Sequence, residues 1–323
     1  MGKERWYYLD LARVLAITLV VIGHYCPETC PEWWRILHNV IYSFHMPLFL
    51  FLSGFLYART GAGNQPYKTM LTKKIKSLLV PYLSTSVLII CIKLLSQSLL
   101  FVENPVTVYS FIRILYIPEA GYFLWFLWAL WWMFVLVGLF RMPYGKWFFL
   151  MISVCLFFLP WKAPEAFCFY QTQRHMIYFA LGVFLGDVKS WDSLLEKLSI
   201  LPLLLWLGFV VISERFSHND VGIIIYAVLG IFGILSLCKT CEHCLRKTGK
   251  LILSVAASVS FTIYLFHTTF MGFAKAIIVK VIPPNSPFII GASFSILAGI
   301  LFPIAIHFVM RRWKACRFLF AIR

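Results

Sequence analysis

The stretch DLARVLAITLVVIGH, residues 10–24, decides how the chain is read. Leu, Val, Ile and Ala dominate it, as in a membrane-spanning helix. It also carries Asp10, Arg13 and His24, and ionisable side chains at membrane depth are costly and point to function by default. On an α-helix each residue turns about 100° and rises about 1.5 Å. Arg13 and His24 are then about 20° apart around the axis and roughly 16 Å apart along it, with Asp10 about 60° from Arg13. One helix face carries all three. An arginine is a permanent cation whose fork of donors suits phosphate. An imidazole serves as a general base near neutral pH. Asp10, one turn before Arg13, is placed to orient the guanidinium. A donor with a charged phosphate head and a long thin arm would span the gap, and acyl-coenzyme A has that shape. The plainer alternative makes Asp10 and Arg13 an interfacial pair and His24 a surface residue at a helix end.

Composition sets the medium. Of 323 residues, 61% are hydrophobic and 13% charged, with a mean hydropathy of +0.83. A soluble domain is usually about 45–50% apolar and about 25% charged. The chain therefore belongs in a bilayer, and no soluble domain fits between its apolar runs. Twenty-nine basic against 13 acidic residues give a net charge of +16. In a soluble protein that excess would suggest nucleic acid. In a membrane protein Lys and Arg collect on cytoplasmic loops, so no nucleic acid partner is expected. The first run carries two charges and no small-residue cleavage site follows it, so it reads as a retained first span rather than a signal peptide.

Ten apolar runs follow one another, at 8–26, 36–58, 77–97, 121–140, 146–160, 174–188, 200–213, 221–238, 254–273 and 287–310. With the N-terminus inside, twenty Lys and Arg fall on inner segments, from Lys3 and Arg5 to Arg317 and Arg323, and seven on outer ones, Arg215 among them. The expectation is an all-α polytopic membrane protein of about ten transmembrane helices, both termini cytoplasmic, forming a single domain over 1–323. No internal repeat stands out, which argues against transporters built from inverted repeats.

Several blocks resemble one family. Asp10, Arg13 and His24 in the opening stretch resemble the first-helix motif of the acyltransferase-3 family of integral-membrane acyltransferases, in which an arginine, ten residues and a histidine stand in this order. FHMPLFLFLSGFLYA (44–58), TKKIKSLLVPYL (72–83), LWFLWAL (124–130), YFALGVFLGD (178–187) and SFTIYLFHTTF (260–270) resemble later blocks of that family, in order. The resemblance implies transfer of an acyl group, usually acetyl, from cytoplasmic acetyl-CoA or another acyl-CoA to a hydroxyl, often on a glycan. Family members often have arginines where this chain has Lys73 and Lys74. Lysine binds phosphate as a point charge rather than a fork.

Other residues have two readings each. His45 lies before Pro47 and shares a face with His38, which suits a catalytic role or a hydrogen-bonded structural one. Lys73, Lys74 and Lys76 either follow the positive-inside rule or bind the phosphates of the donor. Ser260, Tyr264 and His267 step by four and three along one helix face, as a substrate contact or as interhelical glue. Trp125 and Trp128 are interfacial belt residues or platforms for a sugar. Glu119, Arg174, Arg113, Glu165 and His175 lie on outer segments, to bind acceptor hydroxyls or to be solvated. Cys238, Cys241, His243 and Cys244 are possible zinc ligands, but one cluster at a helix end lacks the usual second, so no metal is expected. Cys26 and Cys30 could join in a disulfide in an oxidising compartment.

These readings converge on a membrane acyltransferase with His24, Asp10 and His45 as catalytic candidates. Arg13, Lys73, Lys74 and Lys76 would face the donor, and Trp125, Glu119, Arg174, Tyr264 and His267 the acceptor. Membrane lipids and a glycan or other hydroxyl-bearing acceptor are the expected partners. The oligomeric state stays open, a homodimer included. The family's usual company suggests a bacterial inner membrane. The rival is a transporter or flippase in which Asp10, Arg13 and His24 form an intramembrane relay.

Overall fold

The computed structural model describes residues 5–27, 29–98, 102, 104–212, 219–281, 283 and 286–322. Lys3, Arg215 and Arg323 of the charge count lie outside these residues. Helices are the only regular structure among the described residues. In chain order they are α1 (Tyr7–Gly23), α2 (Glu32–Arg59), α3 (Tyr67–Lys74), α4 (Val80–Ser96), the single turn α5 (Ser110–Arg113), α6 (Trp125–Val137), α7 (Gly145–Phe158), α8 (Phe169–Gly186), α9 (Trp191–Leu198), α10 (Leu201–Ile212), α11 (Asp220–Glu242), α12 (Lys247–Val281), α13 (Phe288–Met310) and the short C-terminal α14 (Lys314–Leu319).

Each of the ten apolar runs falls on a helix. Among the described residues, five helices are long and apolar enough to cross a membrane: α2, α11, α12, α13 and the continuous stretch Tyr67–Ser96. A sixth results if α9 and α10, bent by 63°, count as one broken span. The bend falls at Ser199, whose φ of 48° lies in the left-handed region. Much of α13 faces outward through Ile289, Leu297, Leu301 and Phe302. An exposed face made of such side chains suits lipid, not water. The chain is thus a multi-pass membrane protein.

Local sequence explains the ends of several helices. Pro31 and Pro66 stand immediately before α2 and α3. Asn219 caps α11 by accepting from the Gly222 N–H at 2.6 Å, which satisfies one of the donors a helix start leaves open. Between α3 and α4 the backbone widens into one π-helical turn, Ile75–Leu79. Such turns are rare and concentrate at functional sites.

Three glycines let α2 and α8 approach backbone to backbone. A Cβ on Gly54 would lie 2.1 Å from the Phe179 carbonyl oxygen, one on Gly182 2.2 Å from that of Phe51, and one on Gly186 2.6 Å from that of Phe55. Small residues at such crossings let membrane helices gain van der Waals contact where lipid offers no hydrophobic drive.

Contacts at the helix ends fix the layout. At one end of α1, Lys250 of α12 stands over the Tyr7 ring at 5.0 Å and Arg59 of α2 over Trp6 at 5.6 Å. At the other end, His24 meets His267 of α12 and Tyr42 of α2. So α1 and α12 run parallel, α2 runs against them, and the bundle has two ends of different chemistry.

Candidate active site at the histidine end

His24 caps α1, just past its last turn. Its ring centroid lies 4.9 Å from that of His267, 6.0 Å from Tyr42 and 6.3 Å from Phe123. Its Nδ1 is 3.4 Å from the Tyr42 hydroxyl. Tyr42 stacks on His38 at 4.2 Å and meets His45 edge-on at 4.9 Å. His175 packs on Trp125 at 4.9 Å, and His45 lies within electrostatic reach of both His24 and His175. Five of the eight histidines in the sequence thus gather at one end of the bundle, from three helices and a helix cap.

Three of these rings are fastened the same way. His45 Nδ1 bonds the Ile41 carbonyl at 2.7 Å, His175 Nδ1 that of Gln171 at 2.9 Å, and His267 Nδ1 that of Tyr264 at 2.8 Å. A carbonyl only accepts, so in each neutral ring Nδ1 donates and Nε2 carries the lone pair. The His267 ring is fully buried, and its Nε2 has no hydrogen-bond partner. A buried polar atom left without a partner is uncommon and calls for an explanation, of which a substrate group is one. Tyr264 does not offer its hydroxyl, which donates to the Phe123 carbonyl at 2.7 Å. Ser260 bonds its own helix at Ala256.

The remaining acceptor candidates are engaged elsewhere. Glu119 pairs with Arg113 at 3.0 Å and accepts from Ser110. Arg174 pairs with Asp220 at 2.6 Å, bonds the Phe157 carbonyl and lies over the Phe157 ring. Trp125 is buried against the histidine cluster rather than spread on an interface. Trp128 stacks within an aromatic group with Tyr82, Trp131, Trp132 and Phe167. Cys26 and Cys30, both thiols, sit 3.6 Å apart just beyond His24.

Asp10 is buried and holds two cations, Arg5 at 2.7 Å and Arg13 at 3.5 Å. The closer partner is Arg5, which the opening motif does not contain. Among the described residues no group of three or more His, Cys, Asp or Glu is arranged to hold a metal ion. Cys238 is buried, while Cys241 and Cys244 are exposed.

The opposite end carries the lysines. A cleft of about 460 Å³ is lined by Lys73, Lys74 and Lys76, with Gln65, Ser77 and Arg317 among its other walls. Lys74 Nζ stands 3.5 Å over the Phe134 ring and Lys73 bonds Gln65 Oε1 at 2.6 Å. Arg13 does not line this cleft. Along α6, Phe134 at the lysine end and Trp125 at the histidine end are nine residues apart, roughly 14 Å of helix.

The family model described as an acyltransferase domain matches residues 6–308, essentially the whole chain. The chain belongs to the acyltransferase-3 family. It is a membrane acyltransferase, and the match spans α1 through most of α13, hence both ends of the bundle. No curated protein and no solved structure matches it. For this acyltransferase the opening motif identified one histidine and one arginine. It did not identify Tyr42 as a neighbour of His24, nor Arg317 as a neighbour of the lysines. Tyr42 was within reach of helical periodicity, lying between His38 and His45 on the same helix. Arg317 carried no signal beyond its positive charge.

Proposed function

We propose that the protein moves an acyl group, acetyl by preference, from cytoplasmic acyl-CoA to a hydroxyl of a glycan or a related acceptor. The single observation supporting this is the histidine end. A partly exposed imidazole has its Nδ1 beside a hydroxyl, and the neighbouring ring holds a buried nitrogen without a hydrogen-bond partner. With Tyr42 accepting from Nδ1–H, His24 keeps its Nε2 lone pair as the general base, the arrangement of a base oriented by a third group. Nε2 takes the proton from the acceptor hydroxyl. The oxygen attacks the thioester carbonyl carbon, the carbon–sulfur bond breaks, and the departing thiolate takes the proton back from His24. His45 and His267 line the acceptor's path, with Trp125 behind them. Glu119 and Arg174 shape the outer loops rather than grip the sugar.

The donor enters at the lysine end. Lys73, Lys74 and Lys76 face its phosphates, and Arg13, steadied by Asp10, lies along the face that leads to His24. This places the lysine end and both termini in the cytoplasm, with the ten apolar runs as ten spans of one domain in a bacterial cell membrane. No metal takes part.

The test is thiol release. Purified protein in lipid, given acetyl-CoA and a panel of glycans, should release free coenzyme A in step with acetylated acceptor. His24→Ala, inserted at normal level, should release it about 10³-fold more slowly. Full activity in that variant would overturn the mechanism. Movement of a glycan across vesicles with no thiol release would instead favour the relay reading of Asp10, Arg13 and His24.

A further inference from the structure

The cleft at the lysine end is completed by the C-terminal segment, which lies beyond the matched domain at 6–308. After α13 the chain turns at Arg311–Trp313 into α14, which packs beside α4. Two side chains pin this tail. Phe320 and Ile322 are 7% and 5% exposed, and the Phe320 ring lies 5.4 Å from that of Phe266. The Ile322 N–H closes back onto the Arg317 carbonyl at 3.1 Å. So anchored, the segment lends Arg317, Phe318, Ala321 and Ile322 to the cleft that Lys73, Lys74 and Lys76 also line. Four cations then face one space, and no acidic side chain lines it among the described residues. Phe318 stays 52% exposed at the same wall.

We infer that Arg317 and Phe318 form the nucleotide-recognition wall of the donor site, making the enzyme selective for nucleotide-bearing thioesters such as acyl-CoA over acyl-pantetheine. A guanidinium engages phosphate through paired donors, which the three lysines cannot do. An exposed aromatic face beside cations is a platform on which a base stacks. Together they fit a phosphorylated adenosine, whose charge needs the cations and whose ring needs the flat surface. The inference rests on the acyl-CoA reading above and adds which part of the donor is read, and by which segment.

The shared chemistry is a phosphate group, which a lipid headgroup also supplies. The experiment therefore uses the full chain in nanodiscs of phosphatidylcholine, with and without phosphatidylglycerol. Transfer is measured from acetyl-CoA and from acetyl-pantetheine, for wild type, Arg317→Ala, Arg317→Lys and Phe318→Ala. Arg317→Ala should raise KM for acetyl-CoA about tenfold, the effect of one lost charged hydrogen bond, with kcat and the acetyl-pantetheine KM unchanged. Arg317→Lys should recover part of it, and Phe318→Ala should raise the same KM severalfold. Competition by free coenzyme A should weaken in parallel. Equal loss on both donors would show that the tail only supports the fold and would overturn the inference. So would an unchanged KM with a lost response to phosphatidylglycerol, which would make a lipid headgroup the occupant. A wild type that transfers from neither donor would instead overturn the acyl-CoA reading itself.

Discussion

The two ends of the bundle are built on opposite principles. At the histidine end, polar groups are buried among aromatic rings and held by hydrogen bonds to their own helices: His45 to Ile41, His175 to Gln171, His267 to Tyr264. At the lysine end, long flexible side chains surround an open cleft, with Lys73 on Gln65 and Lys74 over Phe134. The first arrangement fixes nitrogen positions in advance, as chemistry at a single atom requires. The second supplies charge without strict geometry, which suffices to hold phosphates. Tight packing concentrates at the histidine end, and long charged side chains at the lysine end.

If this division is right, the two ends fail differently. The largest effect should come from the scaffold that joins them. Gly182→Leu drives a side chain into the Phe51 carbonyl and should abolish both coenzyme A binding and transfer, with a fall in thermal stability of at least about 3 kcal/mol. Retention of either activity would show the ends to be less dependent on the α2–α8 contact than the geometry requires. Next, His24→Ala should lower kcat by about 10³-fold while leaving coenzyme A affinity unchanged, read by isothermal titration. Replacing Lys73, Lys74 and Lys76 together by Ala should do the reverse. KM for acyl-CoA should rise roughly a hundredfold, at up to about fivefold per half-exposed contact, with kcat kept. Smallest, Tyr42→Phe should cost about tenfold in kcat without touching KM. A KM effect from Tyr42→Phe, or a kcat effect from the lysines, would blur the boundary between the ends.

Much of this was legible in sequence because helices in lipid obey simple rules. All ten apolar runs are helical. The shared face of Arg13 and His24 follows from their spacing, and the pairing of Asp10 with Arg13 was anticipated. What escaped depends on contacts distant in sequence. His24 and His267 are 243 positions apart, and only the packing of α1 along α12 brings their rings together. The third turn of the lysine helix gave no hint of its π geometry, since Ile75–Leu79 reads as ordinary amphipathic sequence. Glu119 and Arg174 looked available because sequence does not display their partners, Arg113 and Asp220. Arg5 and Arg317 were counted only as topology markers, yet one holds Asp10 and the other borders the cleft.

The π-helical turn has a consequence for how the lysine end is aimed. It holds one residue more than a regular turn would. Everything before it, Lys73 and Lys74 included, is therefore rotated by about 100° relative to α4 beyond what a continuous α-helix would allow. The turn acts as a single detent in the winding of the chain. Removing one residue from Ile75–Leu79 would let the helix run regularly and swing the cations off the cleft. The composition, hydropathy and net span of the segment would hardly change. The aim of the charge is thus set by a count of one residue.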